Sequence, residues 1–405
     1  MRCTTLVLAS VLCLSLAVNC QAIEPKEVER WLVEGKIADG EKALTQWLEQ
    51  HPADDTARFG LGITQFVRGI ERLGQSLHRY GLRLDGATGL IQLPVLRLPV
   101  GDNPNPKPMK YEDARQVLLD WLADLQKAEK TLAAIKDENV KLPLRVSNIR
   151  WDWDGNGTPG DKLIDLVRRF FGPNTPADLT VTFDRADVAW LRGYCHLLMV
   201  FCEFPLAHDG RELFDVSAHL FFKNAQTTGT KLRNPAPNQQ PFSEEGIVDL
   251  IAFIHMIRLP VKEPERMKAC WEHLRMVIET GRESWRFIRA ETDDEQEWIP
   301  NVKQTSVLGI RLTDEMIDSW LMFLDESDDL LQGRRLIPFW RKSVTQGINL
   351  KRVFLEPRTF DLVLWAQGTA VVPYLEDGPR TRPEVWQRLQ RVFRGEFFGF
   401  ALWFN

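Results

Sequence analysis

Six consecutive residues, Asp152-Trp153-Asp154-Gly155-Asn156-Gly157, put oxygen-bearing side chains at alternate positions and a glycine where a backbone must turn sharply. The alternation matters because a hard divalent cation such as Ca2+ takes about six to eight oxygens. A short loop can supply them only if successive side chains turn inward around one centre. With Asp152 at the first position of such a loop, Asp154 is third, Asn156 fifth and Gly157 sixth. Thr158 then stands seventh, where a backbone carbonyl serves as ligand. No other stretch of the chain names a chemistry as specifically, and this one names a metal ligand set rather than a reaction.

Through Thr158 the run resembles the calcium loops of EF-hand and dockerin proteins. Its second half departs from them. The eighth position, normally a branched apolar residue, is Pro159; the ninth is Gly160; the twelfth, normally a bidentate glutamate, is Leu163. Asp161 is the nearest carboxylate, and Asp165 follows two residues past the usual end. The preceding segment, Leu144 to Arg150, reads as a strand rather than an incoming helix. The resemblance therefore implies one structural Ca2+ in an EF-hand-like loop at 152–163, held by Asp152, Asp154, Asn156, Thr158 and Asp161. It does not imply the sensing mechanism of paired hands. The absent bidentate ligand makes the affinity modest, sufficient for the millimolar calcium found outside cells. The competing reading is a solvated turn, because Asp, Asn and Gly favour turns for reasons of their own backbone. Strict alternation with the glycine in place, flanked by Trp151 and Trp153, favours the ion.

A second constellation gathers His196, His208, Asp209, Asp215 and His219, with Asp184 and Asp187 just upstream. Imidazoles and carboxylates are what a zinc or iron site, or an acid–base pair, requires. The alternative function is accordingly a metal-dependent hydrolase using His196, His208, Asp209 and His219. The spacing is not that of a compact ligand motif, since His196 and His208 are twelve apart and no His-x3-His occurs. Helix caps and ordinary core histidines account for these residues as well. The acidic run Glu291 to Glu297 reads as a solvated face that could recruit a second cation. No nucleophile elbow, phosphate loop or dinucleotide fingerprint is present, so catalytic residues stay unassigned.

The chain ends and composition bound the setting. Arg2 precedes an apolar run from Leu6 to Val18, closing on Cys20-Gln21-Ala22, which reads as a cleaved export signal over 1–22. The expectation is a periplasmic or secreted protein. No later stretch is long and apolar enough for a membrane span. Losing 1–22 removes one arginine and no acid, taking the net charge from −5 to −6, a poor balance for binding nucleic acid or anionic lipid. Outside the signal the cysteines are Cys195, Cys202 and Cys270, an odd number read as buried free thiols.

The elements that must position the loop are mostly helices. Apolar residues recur at helical spacing over 25–81, with His51-Pro52 ending one helix and Asp54-Asp55 opening the next. This 23–81 segment resembles the helical hairpins of tetratricopeptide repeats and could offer a face to a partner protein. An irregular arm covers 82–109, rich in Pro104, Pro106 and Pro108. Beyond it, helices are expected at 111–136, 162–171, from Asp184, and at 211–222, 244–258, 264–291, 313–332 and 383–393. A strand is expected at 142–149, and strands or buried coil at Leu362-Val363-Leu364-Trp365 and Phe397 to Phe404. The fold class is mainly α, a multi-helix body over 82–405 with a minor extended component behind an N-terminal hairpin segment.

Three further stretches, Asp187 to His196, Ala218 to Phe222 and Asp361 to Trp365, together with the closing Phe400 to Asn405, carry a wider resemblance. Through them the chain is similar to uncharacterised exported bacterial proteins with an EF-hand-like loop. That resemblance implies export and calcium binding and carries no activity. The expected role is a calcium-stabilised binding or structural component.

Overall fold

The computed structural model describes residues 24–83, 98–160, 162–171, 176–227, 244–341, 344–394, 397 and 400–401. The expected signal at 1–22, residues 84–97 of the arm, Asp161 and the closing residues 402–405 lie outside them.

Three helices begin the described chain: α1 (Pro25–Val33), α2 (Ile37–Gln50) and α3 (Asp55–Arg79). Asp54 starts α3 as an N-cap, its carboxylate accepting the Ala57 N–H at 2.9 Å. The same carboxylate accepts the Trp47 indole N–H at 2.9 Å, tying the end of α2 to the start of α3. Helix α4 (Tyr111–Ala133) packs on α3, and Gly62 makes that close approach possible. A Cβ there would sit 2.5 Å from Leu132 Cδ2.

The centre of the molecule is α6 (Arg185–Ala207), which lies chiefly against α9 (Pro264–Ala290) and α4. Around it stand α5 (Leu163–Phe171), α7 (Arg211–Phe221), α8 (Glu244–Met256), α10 (Asp314–Leu331), α11 (Leu350–Leu355), α12 (Leu362–Gln367) and α13 (Pro383–Phe393). One continuous buried cluster runs from Val28 on α1 to Phe400, so the N-terminal helices share the core of the body. Trp285 and Trp320 are among its largest fully buried side chains. A smaller cluster at Ile348, Val371 and Tyr374 supports the last third of the chain. Cys195, Cys202 and Cys270 are free and buried, as expected. Among the described residues no helix is long and apolar enough to cross a membrane.

The extended component is small. Strand β1 (Leu142–Arg145) pairs antiparallel with β2 (Thr180–Phe183), from Leu142 opposite Phe183 to Arg145 opposite Thr180. Two short ladders complete it: β3 (Arg258–Leu259) with β6 (Phe360–Asp361), and β4 (Ile337–Pro338) with β5 (Gly347–Ile348), which also pairs β7 (Leu375–Glu376).

Two expectations are corrected. The strand expected to reach Ile149 stops at Arg145, where its partner ends, and the chain turns through a 3-10 segment at Val146–Asn148. Leu362 to Trp365 are helical. Asp361 caps them by accepting the Leu364 N–H at 2.9 Å, and Gly368, at φ +106°, closes the helix. A short apolar run does not reveal its period, so neither outcome could be read from it.

Candidate metal centre

The acidic loop leaves the β1 side of the molecule and returns into α5. Its two ends are drawn together: Leu163 N donates to Ile149 O at 2.8 Å, Gly160 N to Trp151 O at 2.8 Å, and Arg150 faces Lys162 in an antiparallel bridge. Trp151 and Trp153 stack with ring centroids 5.1 Å apart and are both buried. The Trp151 indole donates to Val67 O at 3.2 Å. Trp153 lies over Gly74, where a Cβ would come within 2.4 Å of its ring. The two tryptophans thus seat the loop on α3. Pro159 closes the other side against Gly35 at the α1–α2 turn.

On this frame the polar side chains turn toward one another. One Asp152 oxygen accepts the N–H of Gly155 at 2.9 Å and of Asn156 at 3.2 Å; the other accepts that of Gly157 at 2.8 Å. Asp154 accepts the Asn156 N–H at 3.1 Å and its side-chain amide at 2.8 Å. Asn156 Oδ1 accepts the Thr158 N–H at 2.6 Å. These bonds need left-handed glycines, and Gly155 and Gly157 stand at φ +74° and +85°. Burial tends to raise the Asp154 carboxyl. The Asn156 N–H, a hydrogen bond with Asp152 and the nearby His78 outweigh it and hold the group below its usual range. The two carboxylates are near neighbours, because both accept the Asn156 N–H. No hydrogen bond among the described residues engages the Thr158 carbonyl. Asp161 lies outside the described residues, and Asp165 is occupied at the start of α5, accepting the Lys162 N–H at 3.2 Å.

Helix α3 supplies groups the sequence did not suggest. The buried Glu71 accepts the Asp152 N–H at 2.9 Å and pairs with Arg68; Gln75 donates to Asp152 O at 2.8 Å. Burial pushes the Glu71 carboxyl up, against the lowering pull of the Asp152 N–H and Arg68. Nothing local to the loop sequence marks these partners, which lie 81 and 77 positions away.

The histidine set does not assemble. His196 and His208 lie along and at the end of one helix, about 18 Å apart by helical rise. Among the described residues His196, His208, Asp209 and His219 do not bring three ligand atoms within 4.8 Å of one another. His208 ends α6 with its Nδ1 2.7 Å from Phe204 O, and burial lowers its proton affinity. Asp209 accepts the Arg211 N–H at 3.1 Å, a helix-start contact. His219 sits half-buried on α7, and Asp215 is on the same helix. His196 meets a residue that sequence proximity could not suggest, His273 on α9, with the two Nδ1 atoms 3.0 Å apart. Burial pushes the His273 imidazole down to about 4.

The acidic run at 291–297 is only partly a solvated face. Glu297 is buried and Glu291 half-buried, and their carboxylates join that of Asp184 with oxygens within 4.8 Å of one another. Asp184 caps α6 through the Ala186 N–H at 2.7 Å, and Asp187 returns the bond by accepting the Asp184 N–H at 3.0 Å. Burial pushes Glu291 up to about 8, with repulsion from Asp184 adding to it. Glu297 and Asp187 are raised by burial in the same way.

Comparison with protein-family models, with curated proteins and with solved structures gives no match.

Proposed function

We propose that the loop at 152–163 binds one structural Ca2+ and that the chain acts outside the cytoplasm as a calcium-stabilised binding or structural component. One observation carries this reading: the Asp152 and Asp154 carboxylates fold over the loop, accepting N–H groups of residues 155–157, on a backbone fixed by two left-handed glycines. The donor set fits the ion, being all oxygen, with two carboxylates, a side-chain amide oxygen and the Thr158 carbonyl. Asp161 and water would complete the shell. The ion would neutralise two neighbouring carboxylates and pin β1 to α5, stabilising the folded chain by mass action.

The proposed role rests on the loop, the signal-like N-terminus and the dispersal of the histidines. A partner protein would meet the outer surface of α1 and α2, because their inner faces and most of α3 are packed in the core. Calorimetric titration of the mature chain tests the reading. One site at sub-millimolar to millimolar calcium is expected, with loss of binding in Asp152→Ala and Asp154→Ala. Absence of heat in the unaltered protein at millimolar calcium would overturn it.

A further inference from the structure

We propose that His196 and His273 form a second metal site, specific for a late divalent transition ion (Ni2+, Cu2+ or Zn2+), in the seam between α6 and α9. The two Nδ1 atoms are 3.0 Å apart and the ring centroids 5.2 Å apart at 37°. Facing imidazole nitrogens at this distance cannot both carry a proton, so at least one presents a lone pair to the gap. With metal–nitrogen bonds of about 2.0–2.1 Å, nitrogens at this separation subtend about 95° at a shared ion. That matches neighbouring positions of the tetragonal geometry Cu2+ and Ni2+ prefer, and a small opening of the seam suits tetrahedral Zn2+.

The surroundings fit a ligand role for His196. Its far nitrogen, Nε2, lies 3.5 Å from Glu129 Oε1 on α4. A carboxylate at ion-pair distance behind Nε2 favours the tautomer with its proton there and its Nδ1 lone pair toward His273. That arrangement supports a metal-bound histidine once the proton shared between the two Nδ1 atoms is displaced. Glu129 is held in turn by Arg192, 3.1 Å from the same oxygen, and Arg192 also reaches Glu283 at 3.5 Å. Arg185 completes the network on Glu283 at 2.7 Å. Two guanidinium groups against two carboxylates leave the seam near neutrality, so a cation meets no net repulsion. His196 is buried, whereas His273 is half-buried and leaves one side open for water to fill the remaining positions. Calcium, which takes oxygen ligands, would not compete for two imidazoles.

Titration of the full chain with NiCl2 and with ZnCl2, in excess calcium so that the acidic loop is saturated, tests the site independently of the loop. One binding event is expected. His196→Ala and His273→Ala should each weaken it at least about tenfold, Glu129→Gln about tenfold, and His255→Ala on exposed α8 should not change it. Unchanged affinity in His273→Ala, or an equal loss in His255→Ala, would overturn the proposal. Should either alanine variant fail to fold by circular dichroism, the Cu2+-loaded unaltered protein decides. Its electron paramagnetic resonance spectrum should show coupling to two imidazole nitrogens, and a spectrum with none would refute the site.

Discussion

The buried carboxylate of Glu71 on α3 accepts the backbone N–H of Asp152 at 2.9 Å, joining residues 81 positions apart. The first residue of the acidic loop is therefore set by a helix formed long before it in the chain. Glu71→Ala strands that N–H and frees Arg68 from its partner, at a cost of about 1–3 kcal/mol. Glu71→Gln keeps an acceptor and should fall between the two. Calcium affinity should decline in the same order. Denaturant melts and calcium titrations of both variants check this, and an alanine variant equal to the parent in both would show the contact to be idle.

The tryptophan seat of the loop is predicted to be the costliest point to disturb. Trp153→Ala empties a site filled against α3 and should cost about 3–5 kcal/mol. Gly74→Ala destabilises from the other side, because its new methyl would lie 2.4 Å from the Trp153 ring. The double variant should be more stable than the sum of the two losses, since the methyl then occupies part of the vacated space. Equilibrium unfolding of the four proteins measures the coupling; strict additivity would argue against direct packing.

Two left-handed glycines should respond differently to a methyl group. Gly157, at φ +85°, has nothing within 4 Å of a Cβ, so Gly157→Ala costs only backbone strain, about 1–2 kcal/mol. Gly35, at φ +68°, would place its Cβ 2.4 Å from Pro159 Cγ and should lose distinctly more. Calcium binding should suffer in both, through the turn itself in the first and through the displaced Pro159 in the second. Comparable melting temperatures for the two variants would contradict the assignment.

The acidic cluster at the start of α6 predicts a pH dependence of stability. Burial and Asp184 raise Glu291 from 4.5 to about 8. Between those values the folded chain holds a proton that the unfolded chain releases. The contribution is present in full below about pH 4.5 and is lost as pH rises through about 8. Glu291→Gln, neutral throughout, should flatten this slope and stabilise the protein near pH 8 by on the order of 1–2 kcal/mol, allowing for partial exposure. Melting curves from pH 5 to 8.5 test it; a parent protein growing more stable across that window would refute the assignment.

Much of the scaffold was legible in the chain because helices announce themselves locally. Apolar spacing and caps placed α3 at Asp54, α6 at Asp184, α10 at Thr313 and α13 at Pro383. Alternating acids and a glycine at Gly157 likewise marked the loop, since the bonds that shape it span only two to five residues. Where the signal was short or distant, reading failed. The run at Leu362 was too brief to show its period, and β1 ended where β2 ran out, a fact of the partner strand.

The amino-acid order alone thus determined the helical character of the protein and the local geometry of its acidic loop, because backbone preference and near-neighbour hydrogen bonds are short-ranged. Packing decided the rest. It set Glu71 and Gln75 behind Asp152, brought His196 to His273 rather than to His208, and buried Glu297 beside Asp184. Those pairings join residues tens of positions apart. They depend on how the faces of α3, α4, α6 and α9 fit together, which no local spacing records.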